Sequence, residues 1–149
     1  MCYALDKPLL AVNTLEAMAY GIIQQQGSLN STQSVLYAPM IDARRMEVYA
    51  AFYDADLKEV KATSADILDE ESYASFFENH HLVLFGNGAF KCKTLNTFAS
   101  QATIIEDFHC NAVPVALLAE KRLLQGKIED VAYFEPFYLK DFVVGAKKV

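Results

Sequence analysis

The hydrophobic positions of the chain follow two different periods, and each period predicts one kind of element. Alternating or short continuous apolar runs predict strands over Val35 to Ile41, Glu47 to Tyr53, Lys58 to Thr63, His81 to Phe85 and Ala102 to Ile105. Short turns separate the first three runs, so we expect these strands to form an antiparallel meander.

Helical spacing separates the later strands. The period becomes helical from Asp69, a second helix follows the GNGAF turn and continues to about Ala99, and a third covers Val113 to Gln125. Residues 35–125 are therefore predicted to run strand, strand, strand, helix, strand, helix, strand, helix. This order matches the ribonuclease H-like unit, an α/β fold in which helices flank a mixed sheet.

The first residues form a separate unit in this prediction. An apolar run at Pro8 to Val12 predicts a strand, helical spacing follows from Leu15 to Ile23, and the polar stretch from Gly27 to Ser34 resembles a linker. One strand and one helix cannot build a core alone. We therefore divide the chain into residues 1–29, a strand-helix remnant with a linker, and residues 30–149, a ribonuclease H-like lobe with an extended aromatic C-terminal segment.

Composition and net charge argue against some classes of function. The chain has 149 residues, 53% of them hydrophobic and 12% aromatic, enough for a buried core. Its formal charge of −6 argues against direct binding of nucleic acid through a basic face, so any such role is expected to be indirect. Three cysteines without a CxxC pair, and no apolar run of about 20 residues, predict a cytoplasmic protein outside the membrane.

The histidines do not predict a zinc site. Catalytic zinc needs imidazoles spaced to meet one metal ion, usually beside a carboxylate base. The chain contains only His80, His81 and His109, and no HExxH motif. Adjacent His80 and His81 point to opposite sides of a strand. We predict no catalytic residues and no metal ligands in this chain.

A nuclease of the ribonuclease H type needs several carboxylates that converge on paired metal ions. Asp42 ends the first predicted strand and Glu47 begins the second, so the two are neighbours across a hairpin. The other acids cluster near turns and helix starts, where solvation and helix capping are the stronger explanations. Arg44 and Arg45 also compete for carboxylates as ion-pair partners.

The GNGAFKCK segment contains a candidate anion site. It follows a buried strand and precedes a helix, so backbone amides around Gly86, Asn87 and Gly88 can meet an anion, with Lys91 and Lys93 nearby. A single GxG completes neither a dinucleotide fingerprint nor a phosphate-binding loop. A tight turn that needs glycine backbone angles is the favoured interpretation, and contact with a nucleotide or partner remains the alternative.

The IDARR segment predicts a charged hairpin tip. Asp42 is expected to accept backbone amides in the turn, a structural role. Arg44 and Arg45 are expected to project from the rim, where an arginine fork can meet a partner's carboxylate or a nucleotide phosphate.

Four segments carry a family resemblance, in order and in spacing. They are YALDKPLLAVNTLEAMA from Tyr3, MIDARRMEVYAAFYD from Met40, FGNGAFKC from Phe85 and FEPFYLKDFV from Phe134. Together they resemble the bacterial TsaB family, also called YeaZ. Full-length members are similar to tandem ribonuclease H-like lobes of the actin, Hsp70 and sugar-kinase superfamily.

The resemblance covers only the later part of the family's length. The LALDTS-like strand and the GPGSFTGLR-like loop of the family's first lobe do not occur in this sequence. The chain therefore resembles a TsaB that lacks most of the first lobe. Family contacts to the catalytic subunit are attributed mainly to that lobe.

The resemblance implies a non-catalytic subunit. It implies pairing with a TsaD-like catalytic subunit and work with a TsaE-like ATPase to place threonylcarbamoyl on the adenosine beside the anticodon of tRNA. It implies no cofactor in this chain, with ATP or ADP and metal in the partner subunits. Apolar surface left without a first lobe also predicts self-association.

Two other functions stay open at this stage. The first is an independent metal-dependent enzyme of the same fold, either a glycoprotease-like hydrolase or a nuclease, whose activity would depend on Asp42. The second is a folded fragment without a working role.

Overall fold

A computed structural model describes residues 1–26 and 34–140 of the chain. Its five strands are β1 (Ser34–Asp42), β2 (Glu47–Tyr53), β3 (Glu59–Ile67), β4 (His80–Phe85) and β5 (Ala102–Ile105). Its α-helices are α1 (Cys2–Leu5), α2 (Thr14–Gln26), α3 (Ala74–Phe77), α4 (Asn96–Gln101) and α5 (Ala112–Leu124), and a 3₁₀ helix covers Ala89–Thr94.

The strands form one mixed sheet in the order β3-β2-β1-β4-β5. Strand β2 is antiparallel to both β1 and β3, as short hairpins allow. Strands β4 and β5 run parallel to β1, which requires the helical crossovers that separate them. The predicted α/β class, with a ribonuclease H-like mixed sheet and flanking helices, is confirmed.

The predicted strand over Pro8 to Val12 is wrong. In its place the structure has one isolated antiparallel bridge between Leu9 and Glu129, where the Glu129 amide donates to the Leu9 carbonyl at 2.9 Å. Proline lacks the backbone donor that a longer ladder needs, and Glu129 lies beyond α5 rather than in a strand of the sheet.

Two predicted helices are shorter than the apolar spacing indicates. Helix α3 has only four residues, because Tyr73 before it adopts a left-handed conformation with φ of 65°. The predicted helix after the glycine turn is divided into the 3₁₀ helix and α4, because Leu95 between them is extended. Strand β3 continues to Ile67, four residues past the predicted end. The polar residues Ser64 and Asp66 fit into it because each forms side-chain hydrogen bonds.

Helix α2 packs on one face of the sheet. Its buried residues share a core with strand residues on that face, and the whole set is Leu15, Met18, Ala19, Ile22, Tyr37, Ala51, Tyr53, Val83 and Phe85. Residues 14–25 are therefore part of the same core as the strands. The division of the chain at residue 29 stays a prediction, and most of the predicted linker lies outside the described residues.

The second core fills the opposite face. It includes Leu36, Met40, Val48, Phe52, Leu82, Leu84, Cys92 and Phe98. Helix α3, the 3₁₀ helix and α4 cover this face, while α5 packs on α2 and touches the sheet less. Within residues 1–26 and 34–140, no helix is long and apolar enough to cross a membrane.

Candidate functional site

The candidate site lies at one end of the sheet, where the parallel strands β1 and β4 finish side by side. Pro39 pairs with Phe85 in the last described register of these strands. The chain then continues from β1 into the hairpin tip and from β4 into the glycine turn. The Asp42 amide donates to Asn87 Oδ1 at 3.0 Å, so the two turns contact each other directly.

The hairpin tip is a tight turn that Asp42 holds. Its Oδ1 atom accepts the Arg44 amide at 2.6 Å, which is the geometry of an Asx turn. Arg44 and Arg45 have φ values of 68° and 44°, the left-handed region that a hairpin turn of this kind uses. Both arginines are exposed, and no described residue forms an ion pair with either. Their predicted role in contact with a partner stays a prediction.

The glycine turn packs closely against the end of β1. Gly86 has φ of 96°, and a Cβ atom on Gly88 would lie 2.9 Å from the carbonyl carbon of Ile41. The Gly88 amide donates to the Met40 carbonyl at 3.0 Å, and the Ala89 amide donates to the Gly86 carbonyl at 3.1 Å. These two amides are therefore used within the protein, which favours the structural interpretation of the turn. Contact of Gly86, Asn87 and Gly88 with a ligand stays a prediction.

Lys91, which the sequence places near the candidate anion site, contacts the hairpin tip. Its Nζ atom lies 2.8 Å from Asp42 Oδ1 and 2.7 Å from the carbonyl oxygen of Glu47. The hydrogen bond from Lys91, followed by that from the Arg44 amide, holds the pKa of the Asp42 carboxyl below its usual value. Lys91 therefore connects the glycine turn to the hairpin tip, and its ammonium is already paired within the protein. Lys93, the other predicted anion contact, pairs with Glu106.

The carboxylates at this end of the sheet are already paired. Asp42 is held by Lys91, and Glu47 by Lys140, whose ammonium also lies 5.8 Å from the centre of the Tyr49 ring. Among the described residues, no three His, Cys, Asp or Glu side chains are grouped closely enough to bind a metal ion. The arrangement does not fit the converging carboxylates that two-metal nucleases use.

The histidines and Cys92 show no catalytic grouping. The Nε2 atom of His81 lies 2.8 Å from Thr103 Oγ1, and His109 pairs with Asp107 on the surface. Cys92 is fully buried, and burial raises the pKa of its thiol to about 12. A thiol in that state stays protonated at neutral pH, so it is not a nucleophile.

A cleft of about 680 Å³ adjoins this end of the sheet. One wall is residues 10–15, and the opposite wall is residues 134–140 of the C-terminal segment. Side chains of the sheet, among them Ile41, Tyr49 and Thr63, lie between the walls. Arg122 of α5 fixes the first wall, because its guanidinium donates to the Ala11 carbonyl and to Glu16. The sequence signals only the aromatic wall, since the two walls are more than 100 residues apart.

Large apolar side chains also remain exposed, both at the cleft and away from it. Many lie at the N-terminus, on α5 and in the C-terminal segment, among them Met1, Tyr3, Leu5, Val113, Leu124, Tyr133, Phe137 and Tyr138. Where such side chains form a contiguous patch, they mark a contact with another protein or domain.

Comparison with known proteins identifies the family. Residues 1–147 match the family model of TsaD, tRNA N6-adenosine threonylcarbamoyltransferase. The chain belongs to this family. No curated protein gives a significant sequence match.

Solved structures of YeaZ-type proteins share the fold of the chain. An uncharacterized protein with similarity to the peptidase YeaZ from Pseudomonas aeruginosa is 20% identical, with a TM-score of 0.67. YeaZ from Pseudomonas aeruginosa is 23% identical, with a TM-score of 0.66. Each match covers 93% of this chain but only 62% of the solved chain. The chain is thus TsaB/YeaZ-like in its fold, as its sequence motifs predict, and spans under two thirds of these relatives.

Proposed function

We propose that this TsaB/YeaZ-like chain is a non-catalytic partner subunit that supports threonylcarbamoyl transfer to the adenosine beside the anticodon of tRNA. Family membership supports the reaction class. The contacts of Asp42 support the proposal that the subunit is non-catalytic. Its carboxylate accepts hydrogen bonds from Lys91 at 2.8 Å and from the Arg44 amide at 2.6 Å. A carboxylate that is already paired with a lysine and hydrogen-bonded to a turn amide is a poor metal ligand and a poor general base.

The partner in this proposal is a TsaD-like catalytic subunit, together with a TsaE-like ATPase. These subunits bring the ATP or ADP and the metal. Contact with tRNA goes through them, because a chain of charge −6 has little capacity to neutralise phosphates. The protein is proposed to act in the cytoplasm, where tRNA is modified.

The proposed contact surface begins at the hairpin tip. Arg44 and Arg45 are exposed cations without a described ion-pair partner, at the end of the sheet that adjoins a cleft with one aromatic wall. Arginine and aromatic residues are enriched at protein interfaces, where they supply much of the binding energy. Self-association of the chain is also proposed, through the exposed apolar side chains of α5 such as Val113 and Leu124.

Charge reversal at the tip tests the contact. The double variant R44E/R45E is expected to weaken binding to the TsaD-like subunit about tenfold, because two favourable charge contacts become repulsive. Isothermal titration calorimetry measures the dissociation constant. Lys58→Glu is the matched control: Lys58 is exposed in the turn between β2 and β3, at the opposite end of the sheet, and its variant should bind normally. If R44E/R45E and the unmodified chain bind the TsaD-like subunit with equal affinity, the hairpin tip is not part of the interface.

A further inference from the structure

Residues 9–12 have backbone hydrogen-bonding groups on two sides, and one side is occupied by α5 and the segment after it. The Leu9 carbonyl accepts the Glu129 amide at 2.9 Å in the isolated antiparallel bridge. The Ala11 carbonyl, two positions on, accepts the guanidinium of Arg122. An extended segment directs the backbone groups of successive residues to alternate sides, so positions two apart share a side.

The other side of the segment is an open edge. The amides and carbonyls of Leu10 and Val12 point to it, and none of them has a hydrogen-bond partner among residues 1–26 and 34–140. Both residues are only partly buried. Proteins usually protect such an edge with charged side chains, proline or a covering element, because an open edge pairs with other chains. Residues 9–12 contain neither a charge nor a proline.

The two open residues are spaced so that the segment is complementary to itself. When a second copy runs antiparallel about a twofold axis at Ala11, Leu10 of each copy lies opposite Val12 of the other. Each of these pairs exchanges two hydrogen bonds, so every open group on the edge gains a partner. At the axis Ala11 meets its own equivalent in the closer type of pair, about 4.5 Å between Cα atoms, where a small side chain fits.

Charge also favours a second copy as the occupant. The chain has a formal charge of −6, but residues 8–13 carry no charged side chain. Two copies that meet along this segment therefore place no like charges directly opposite each other within it. Tyr3 and Leu5, which precede the segment on α1, are exposed and offer apolar surface to the same contact.

We infer that two copies of the chain join through residues 10–12 as an antiparallel strand pair about a twofold axis at Ala11. The second copy supplies the neighbouring strand that this apolar run does not find among the described residues. This contact uses a different surface from α5. It goes beyond the proposed function and does not depend on it, because it concerns the purified chain alone.

Opposite charges at the axis test this contact. All proteins carry Leu124→Lys, which disrupts the separate α5 contact, and the parent is this variant alone. Sedimentation velocity from about 10 μM to 1 mM should show the parent in a monomer–dimer equilibrium, since a few hydrogen bonds must offset the cost of association. Adding Ala11→Lys or Ala11→Glu should each raise the dissociation constant about tenfold, because like charges then face each other across the axis. An equimolar mixture of the two should recover the affinity of the parent.

Circular dichroism confirms that each variant is folded. If the Ala11 variants do not fold, Leu10→Lys and Val12→Glu replace them, since these positions face each other across the same axis. Recovery in the mixture supports the twofold contact, because only residues that meet their own equivalents give it. A parent that stays monomeric at about 1 mM overturns the inference, and the open edge then has another occupant. A dimer that neither charge weakens, or a mixture that does not recover, overturns it as well.

Discussion

Replacement of Gly86 by alanine is expected to lower the free energy of unfolding by about 3 kcal/mol or more. Gly86 has φ of 96°, where an alanine side chain is strained. The new Cβ would overlap the Met40 carbonyl oxygen and would lie 2.7 Å from Met18 Cε. The backbone oxygen cannot move away without shifting β1, so strain and overpacking add together.

Gly126→Ala is the matched control for this prediction. Gly126 also has a left-handed φ, of 67°, but an added Cβ there meets no atom within 4 Å. We expect the Gly126→Ala variant to lose about 1 kcal/mol of unfolding free energy, from backbone strain alone. Urea unfolding followed by circular dichroism measures both losses. Similar losses for the two variants would show that the close approach of the glycine turn to β1 contributes nothing to stability.

The second large effect is expected at Asp66, which joins β3 to the segment before α3. Its carboxylate accepts hydrogen bonds from Lys61 at 2.8 Å, from Ser64 at 2.7 Å and from the Tyr73 hydroxyl at 2.6 Å. Lys61 also lies over the rings of Phe52 and Tyr73. Asp66→Asn would leave the Lys61 ammonium without its counter-charge in a mostly buried position. We expect a loss of about 2 kcal/mol at pH 7.

The same residue predicts a pH dependence with a definite sign. Burial alone raises the pKa of Asp66, but the hydrogen bonds from Lys61, Tyr73 and Ser64 outweigh it and hold the pKa below the usual value. A carboxyl whose pKa is lower in the folded state stabilises the protein above its unfolded pKa, about 3.9, and loses that effect as pH falls through the folded value.

The difference between the unmodified chain and Asp66→Asn should therefore be constant above about pH 5 and should shrink in acid. Chemical unfolding at a series of pH values measures it. Lys58, exposed in the turn that precedes β3, provides a control: Lys58→Gln should change stability little at any pH. A difference for Asp66→Asn that persists at the lowest pH would mean that its ionisation is not the cause.

The fold was largely predictable because periodicity reports burial directly. The apolar runs of β1, β2 and β4 correspond to strands of the sheet that are largely buried on both faces. The apolar run at Pro8 to Val12 led to a wrong strand prediction, because an apolar run does not show whether a neighbouring strand exists to pair with it. The length of β3 was underestimated because Ser64 and Asp66 appear too polar for a strand until their partners are known.

The site was predictable in part. The turn at Asp42 follows from local chemistry, since an Asx residue reaches an amide two positions ahead. The contact between Lys91 and Asp42 spans 49 positions, and sequence alone does not indicate which distant charges meet. The cleft was missed for the same reason, because residues 10–15 and 134–140 are far apart in the sequence and meet only in the folded chain.

The central claim is that the chain supports tRNA threonylcarbamoylation without catalysing it. The direct measurement is threonylcarbamoyl incorporation into tRNA by a TsaD-like subunit and a TsaE-like ATPase, assayed with and without this chain. We expect incorporation to rise when the chain is added, to be absent with the chain alone, and to be retained at least in part by the Asp42→Asn variant. The account is contradicted if the chain leaves incorporation unchanged, or if the chain alone shows metal-dependent hydrolysis that Asp42→Asn abolishes.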